Sequence, residues 1–280
     1  MRDFSTILAH ISYHAVYDDS IRAALEWAAE NGFSGVQVAA QAPHFRVTTL
    51  PDAECERIRS LLREKNLRLT LHAHDENVSL FECHPVLREG ILNYYRSLCD
   101  AARRLGATIV TIHLGAPPTF SVADSSGKRY PEVDLSLWQK AAGDGIKDLV
   151  GLATDGPLIC IENVNLTPPV REVLQPFLDR DEVALCWDIA KCYDRQLSRD
   201  TELEGYLTRN LRHVRHVHLH DIDSTGRSHH TIGEGVIDFK PYFKMFAESE
   251  ILDYCIEVRP REAAKVSLDR LREMLAGSRG

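Results

Sequence analysis

Glu162, Asp188 and Glu257 each stand at the end of a short run of apolar, strand-forming residues, in LICIE, ALCWD and DYCIE. A fourth run, VRHVHLH, brings imidazoles to the corresponding place with His218 and His220. A carboxylate buried at a strand end is costly unless something compensates it. Four such ends, all of metal-ligand type, are explained most economically by one divalent cation. Three carboxylates and an imidazole form a mostly oxygen-donor set, suited to Mn²⁺, Mg²⁺ or Co²⁺ at least as well as to Zn²⁺. No cysteine takes a ligand place, so a closed structural zinc is not expected. Such a set leaves coordination positions open for substrate oxygens, which is the catalytic arrangement.

Each residue also has a plainer use. Glu162 could pair with an arginine or lysine, Asp188 could cap the turn IAKCYD, and Glu257 could pair with Arg259 on the same face. His218 and His220 share parity on their strand, so alternation does not choose between them. None of the 13 histidines lies between His113 and His213, and Glu162 and Asp188 occupy the strand ends there. His72 and His113 close two earlier apolar runs. Six side chains (His72, His113, Glu162, Asp188, His218 and Glu257) would then meet at one mouth, the two early histidines as substrate or second-metal contacts or as hydrogen-bonded barrel residues.

Short β-rich runs that would position these groups fall at residues 6–9, 35–38, 67–73, 108–114, 158–162, 183–188, 214–220 and 253–258. Helical patterns lie between them, such as DDSIRAALEWAAENG with Gly32 past its end, and REGILNYYRSLCDAARRLG stopping at Gly106. LWQKAAGDGIKDLVGLATDG is a weaker helix because of its glycines. Eight strand–helix units without a compositional break predict one α/β domain over residues 1–280, a single (β/α)₈ TIM barrel. A doubly wound open sheet would show a Gly-rich phosphate loop after its first strand, and LAHISYHAVYDD has none. The long connections 115–131 and 221–236 would overhang the C-terminal strand ends, where barrel chemistry takes place.

A hydrophobic content of 44% and a charged content of 26% are ordinary for a soluble globular chain. The net charge of −8 argues against broad phosphate-backbone binding, so a small-molecule substrate is expected rather than nucleic acid. The seven cysteines include no CxxC pair, and Cys160, Cys186 and Cys255 sit inside apolar runs as small hydrophobes. The opening MRDFSTILAHISYH lacks a long apolar core, and no run approaches the ~20 apolar residues of a membrane span. A cytoplasmic protein without membrane attachment is the expectation.

Taken in order, these pieces resemble the xylose-isomerase-like TIM-barrel superfamily of sugar isomerases and epimerases, related dehydratases, and endonuclease IV. GFSGVQV, LTLHAH and TIVTIHLG are similar to its second, third and fourth strands. ICIENV and CWDIAKC resemble the fifth and sixth, VRHVHLHD with HHTIGEGVIDF the seventh strand and its loop, and CIEVRP the eighth. The ketose epimerase pattern implies that Glu162, Asp188, His218 and Glu257 hold one divalent metal ion, which favours His218 over His220. It implies too that Glu162 and Glu257 act as acid and base on either face of the substrate. Relatives are often dimers or tetramers, which makes a homo-oligomer compatible with the resemblance.

The departures carry information. Where the family commonly has histidine three residues after the sixth-strand aspartate, this chain has Lys191. The Asp-x-His of endonuclease IV reads Arg227, Ser228, His229, so His229 alone remains of the third-metal set. These changes count against a three-zinc nuclease. Lys191 and Arg227 could instead hold an anionic substrate group, or be a surface lysine and a loop arginine. Gln37 stands where relatives often carry Glu, and Gly233 and Gly235 are expected to serve backbone geometry. The expected function is a divalent-metal-dependent isomerase or epimerase acting on a small sugar, sugar phosphate or related polyol ketone through an enediolate. The alternatives are a dehydratase on the same barrel, with Lys191 as proton donor to a leaving hydroxyl, and a phosphodiester hydrolase.

Overall fold

A computed structural model describes residues 4–75, 78–117, 125–126 and 131–277, with backbone alone for 131–134 and 277. Eight parallel strands close into one barrel in chain order: β1 (Ile11–Ala15), β2 (Gly35–Ala39), β3 (Arg68–His72), β4 (Ile109–Ile112), β5 (Leu158–Glu162), β6 (Ala184–Asp188), β7 (Val214–Leu219) and β8 (Asp253–Ile256). The helices are α1 (Ser5–Leu8), α2 (Ile21–Glu30), α3 (Asp52–Lys65), α4 (Pro85–Leu105), α5 (Pro131–Ala153), α6 (Pro168–Asp179), α7 (Thr201–Arg209), α8 (Lys240–Phe246) and α9 (Arg261–Gly277). None is long and apolar enough to cross a membrane.

Local chemistry explains the boundaries. Ser20 opens α2 by accepting from the Ala23 amide. Pro85 starts α4, and Gly106, at φ +73°, ends it in the left-handed conformation that glycine adopts without strain. α5 runs straight through its glycines, because Ala142, Ile146 and Leu149 give it a buried stripe that outweighs their low propensity.

Seven of the eight expected strands lie within a residue or two of their expected places. The first does not. Residues 6–9 form the helical turn α1, which buries Ile7, and the strand begins later, at Ile11. The short apolar string TILA serves either geometry, whereas ISYHA pairs with Gly35–Val38 on one side and Tyr254–Ile256 on the other.

Alternation within the barrel sorts the side chains into two environments. Outward residues such as Val36, Leu71, Val110, Ile161, Trp187 and Val217 pack under the helices in the main apolar core. Inward positions hold a small apolar plug of Ile109, Cys160, Ala184 and Cys186 and, beside it, a set of buried polar groups. Ser12, Asp253, His216, Thr111 and Gln37 form one polar layer. The strand ends above it carry the candidate site.

Candidate active site

Glu162 and Asp188 are the last residues of β5 and β6, His218 lies one residue from the end of β7, and Glu257 directly follows β8. All four are buried. The barrel brings them together: ligand atoms of Asp188, His218 and Glu257 lie within 4.8 Å of one another, and those of His72, Glu162 and His218 do likewise. His218 Nδ1 sits between the two glutamates, 3.4 Å from Glu162 Oε2 and 3.6 Å from Glu257 Oε2. Neither contact is a hydrogen bond, and both of its ring nitrogens are buried without a partner. A buried imidazole without a hydrogen-bond partner, set among carboxylates, fits either a protonated ring or a metal ligand.

Charge in the cluster is unevenly answered. Burial alone would raise the Glu162 carboxyl, but His218 beside it and His113, bonded to it, hold it well below the usual carboxylate range. Glu257 is likewise driven up by burial and pulled well below by His218 and His14. Burial opposes a charge on His218, yet Glu257, Glu162 and Asp188 together push it up to about 9. The pocket therefore draws positive charge to the position of His218, which a proton or a cation can supply.

Hydrogen bonding fixes the neighbouring rings. His72 Nδ1 donates to the Ala73 carbonyl at 2.8 Å, which leaves Nε2 facing Glu162 Oε2 at 3.1 Å. His113 Nε2 meets the same oxygen at 3.1 Å. A neutral His72 would set a lone pair against a carboxylate oxygen, so a proton or a cation belongs there too. His220 is different. It accepts the His229 amide on Nδ1 at 2.9 Å and so presents Nε2–H to Asp188 Oδ2 at 3.1 Å. With both nitrogens used, His220 orients the aspartate from behind, as outer-shell histidine–carboxylate pairs do. Asp188 is held further by the Ala190 amide on Oδ1, and its backbone is gripped on both sides by the Asn163 carboxamide.

The loop after β7 is organised by one residue. Asp221 is fully buried and accepts from the amides of Ile222, Gly233, Gly235 and Ile237, each at about 3 Å. A side chain at Gly235 would run into the Ile222 carbonyl and Asp221 itself, which is why TIGEG needs glycine there. The loop carries His229 in the left-handed region, φ +59°, with Nδ1 donating to the Glu257 carbonyl at 3.0 Å. Burial is the main cause that lowers its pKa to about 4. His229 thus offers a neutral Nε2 lone pair to a ligand.

A cavity of about 120 Å³ opens over the cluster, lined by Glu162, Glu257, His14, His72, His113 and His229 together with Gln41, Asp75, Lys191 and Arg259. A larger hollow of about 280 Å³, beside Tyr17 and Asp19, lies off this cluster and shares Arg259 with it. The chain matches the family described as xylose isomerase-like TIM barrel over residues 25–274. It belongs to that family.

Solved structures similar to this member of the family include a D-tagatose 3-epimerase-like protein. It is 19% identical, with TM-score 0.74 over 95% of this chain and 97% of the other. A 3-keto-D-glucoside 4-epimerase from E. coli is 16% identical, with TM-score 0.70 over 94% and 99%. Endonuclease IV from Thermus thermophilus is 19% identical, with TM-score 0.67 over 96% and 99%. At these identities the likeness shows the fold. No curated protein matches the sequence.

Of the family positions read from the sequence as substrate contacts, His72, His113, Lys191 and His229 line the cavity. Arg227 does not. Its guanidinium is exposed and held 2.8 Å from Asp223, four residues back in the same loop. The arginine that lines the cavity is Arg259, beside Lys191. Glu257 pairs with His14, Nδ1 to Oε1 at 3.2 Å, and makes no ion pair with Arg259 among the described residues. His14 was hidden by the misplaced first strand: once ISYHA is the strand, its parity points His14 inward at the C-terminal end. Gln41, Asp75 and Arg259 lie on loops beyond the strands, where no periodicity marks them. The overhang expected from residues 115–131 lies largely outside the described residues.

Proposed function

We propose that the protein is a divalent-metal-dependent isomerase or epimerase acting on a small sugar, sugar phosphate or related polyol ketone. The observation that carries this reading is His218, buried and unbonded at both nitrogens, between two ionised glutamates at the mouth of a small polar cavity. Glu162, Asp188, His218 and Glu257 would hold the ion. A bound divalent cation supplies positive charge against the oxygens of an enediolate.

The chain's own groups supply the rest. Glu162 on β5 and Glu257 after β8 approach the cavity from different strands, so one takes a proton from the carbon beside the carbonyl and the other returns one. Imidazoles keep both carboxylates ionised, the form a base requires. His229 Nε2 accepts from a substrate hydroxyl and fixes the chain's orientation. A cavity of about 120 Å³ is far below the ~300 Å³ of a drug-sized pocket and suits a short polyhydroxy compound.

The test is hydrogen exchange in D₂O with ketoses, sugar phosphates and keto-inositols, with added Mn²⁺ and with chelator. Metal-dependent deuterium beside the carbonyl is expected, and product analysis separates an epimer from a dehydrated ketone. Absence of exchange across the panel, with metal bound, overturns the reading. A phosphodiester hydrolase is the second reading, favoured by His72 and His113 meeting on Glu162 Oε2, a second place for a cation. Two bound metals and cleavage of a phosphodiester would support it.

A further inference from the structure

Two cations at the cavity have no carboxylate partner among the described residues. Elsewhere a carboxylate commonly answers such a group: Arg171 meets Glu202 at 2.6 Å, Arg270 meets Glu234 at 2.7 Å, and Arg88 meets Asp148 at 2.8 Å. Lys191, on the turn after β6, makes no ion pair and no side-chain hydrogen bond among the described residues. Arg259, two residues past Glu257, has one long contact, Nη2 to His14 Nδ1 at 3.4 Å. Its Nε is buried and has no hydrogen-bond partner among the described residues. Both side chains line the 120 Å³ cavity.

The carboxylates nearby, Asp75 included, act on Lys191 only from a distance, and their contacts go to other groups. Glu162 is taken by His72 and His113, Glu257 by His14, and Asp188 by His220 and the Ala190 amide. A guanidinium nitrogen shut from water and left unbonded is costly, and it becomes satisfied when a ligand brings the acceptor. Nε and a terminal nitrogen form the flat fork that takes two oxygens of a carboxylate or phosphate. An ammonium on the adjacent-but-one strand end gives the same anion a second charge.

We propose that the site recognises a substrate with an anionic group, a carboxylate or a phosphate, away from its reacting carbon, and that Arg259 and Lys191 hold that group. This rests on the enolisation reading above and narrows its substrate class. Arg259 sets the orientation by its two-oxygen grip, and Lys191 adds charge at the rim. A neutral sugar would leave the buried Nε unanswered and bind less well.

The experiment uses three compounds sharing one carbon skeleton: D-fructose, D-fructose 6-phosphate and D-fructuronate. Deuterium exchange and calorimetric binding are measured on the Mn²⁺-loaded protein and on R259Q and K191Q, with circular dichroism checking each fold. One anionic compound is expected to exceed fructose by about tenfold or more, in binding and in exchange where exchange occurs. Which one leads separates carboxylate from phosphate recognition. The preference should collapse in R259Q and shrink in K191Q. Fructose equal to or better than both anions, or an unchanged preference in both variants, overturns the proposal while leaving enolisation standing. Exchange with none of the three counts against the enolisation reading instead, and calorimetry then decides the anion claim: a preference lost in R259Q supports it, and no binding of either anion overturns it.

Discussion

His216 and His218 lie on one strand with ring centroids 4.7 Å apart, equally out of contact with water, and burial affects them in opposite ways. Burial lowers the pKa of His216, and its one carboxylate neighbour, Asp253 at 3.2 Å, does not reverse the effect. Burial presses equally on His218, but Glu257, Glu162 and Asp188 lift it to about 9. Depth is the same; the number of carboxylates differs. In the lower layer Asp253 also meets Ser12 at 2.5 Å and Arg68 at 3.7 Å, so its charge is answered within the protein. In the upper layer three carboxylates have only imidazoles for ion-pair partners among the described residues. A layer whose carboxylate has an arginine within reach serves the fold; one whose carboxylates contact only imidazoles can receive a cation.

Glu162→Gln tests this contrast most severely. The substitution keeps the shape, removes one charge of the upper layer and removes one of the two proposed acid–base groups. A fall in kcat of about 10²–10⁴ is expected, with an unchanged circular dichroism spectrum. Thr111→Val in the lower layer, which removes the Oγ1 bonded to His216 Nδ1 at 2.8 Å, should cost far less activity. Full turnover in the glutamine variant would end the proposed role of Glu162.

Metal response separates the layers next. If the proposed site binds Mn²⁺, the ion at a hundred times its Kd should stabilise the folded state by about 2.7 kcal/mol, a rise in melting temperature of roughly 5 °C or more. His218→Ala should lose that rise. His216→Ala should melt lower from the start, because it breaks a buried contact with Asp253, yet still gain stability when the ion is added. If both variants lose the response, the two layers act as one electrostatic unit and the contrast fails.

Much of this arrangement could be read from the chain, and the reason is physical. Strands β2 to β8 are legible because the aliphatic side chains they pack under the helices make short apolar runs bounded by turn residues. Glu162, Asp188 and Glu257 stood out because a carboxylate ending an apolar run is costly without a partner. His14 was missed because TILA and ISYHA are both short and apolar enough for a strand, and only pairing with both neighbours decides between them. Arg227 stood among the expected substrate contacts and Arg259 entered only as an alternative partner for Glu257, since loop side chains carry no periodicity to show where they point. The choice between His218 and His220 needed hydrogen bonds: parity is the same, but His220 spends both nitrogens on Asp188 and the His229 amide.

The finest test concerns the boundary between the layers. Cys186 forms a three-donor group with His216 and His218, a rival to the carboxylate site. A metal there would sit between the layers and make His216 a ligand. Burial, with Glu162 adding to it, pushes the Cys186 thiol well above its ordinary range, so the thiolate that binds metal is strongly disfavoured beside those carboxylates. Oxygen donors lie just above it and suit a harder ion. Cys186→Ala should therefore bind as many Mn²⁺ ions per chain as the parent protein, measured by plasma mass spectrometry. Its stability should fall by only about 1 kcal/mol, the scale of a small core truncation. A loss of one bound ion in this variant would move the cation down a layer and make His216 and His218 partners in one site.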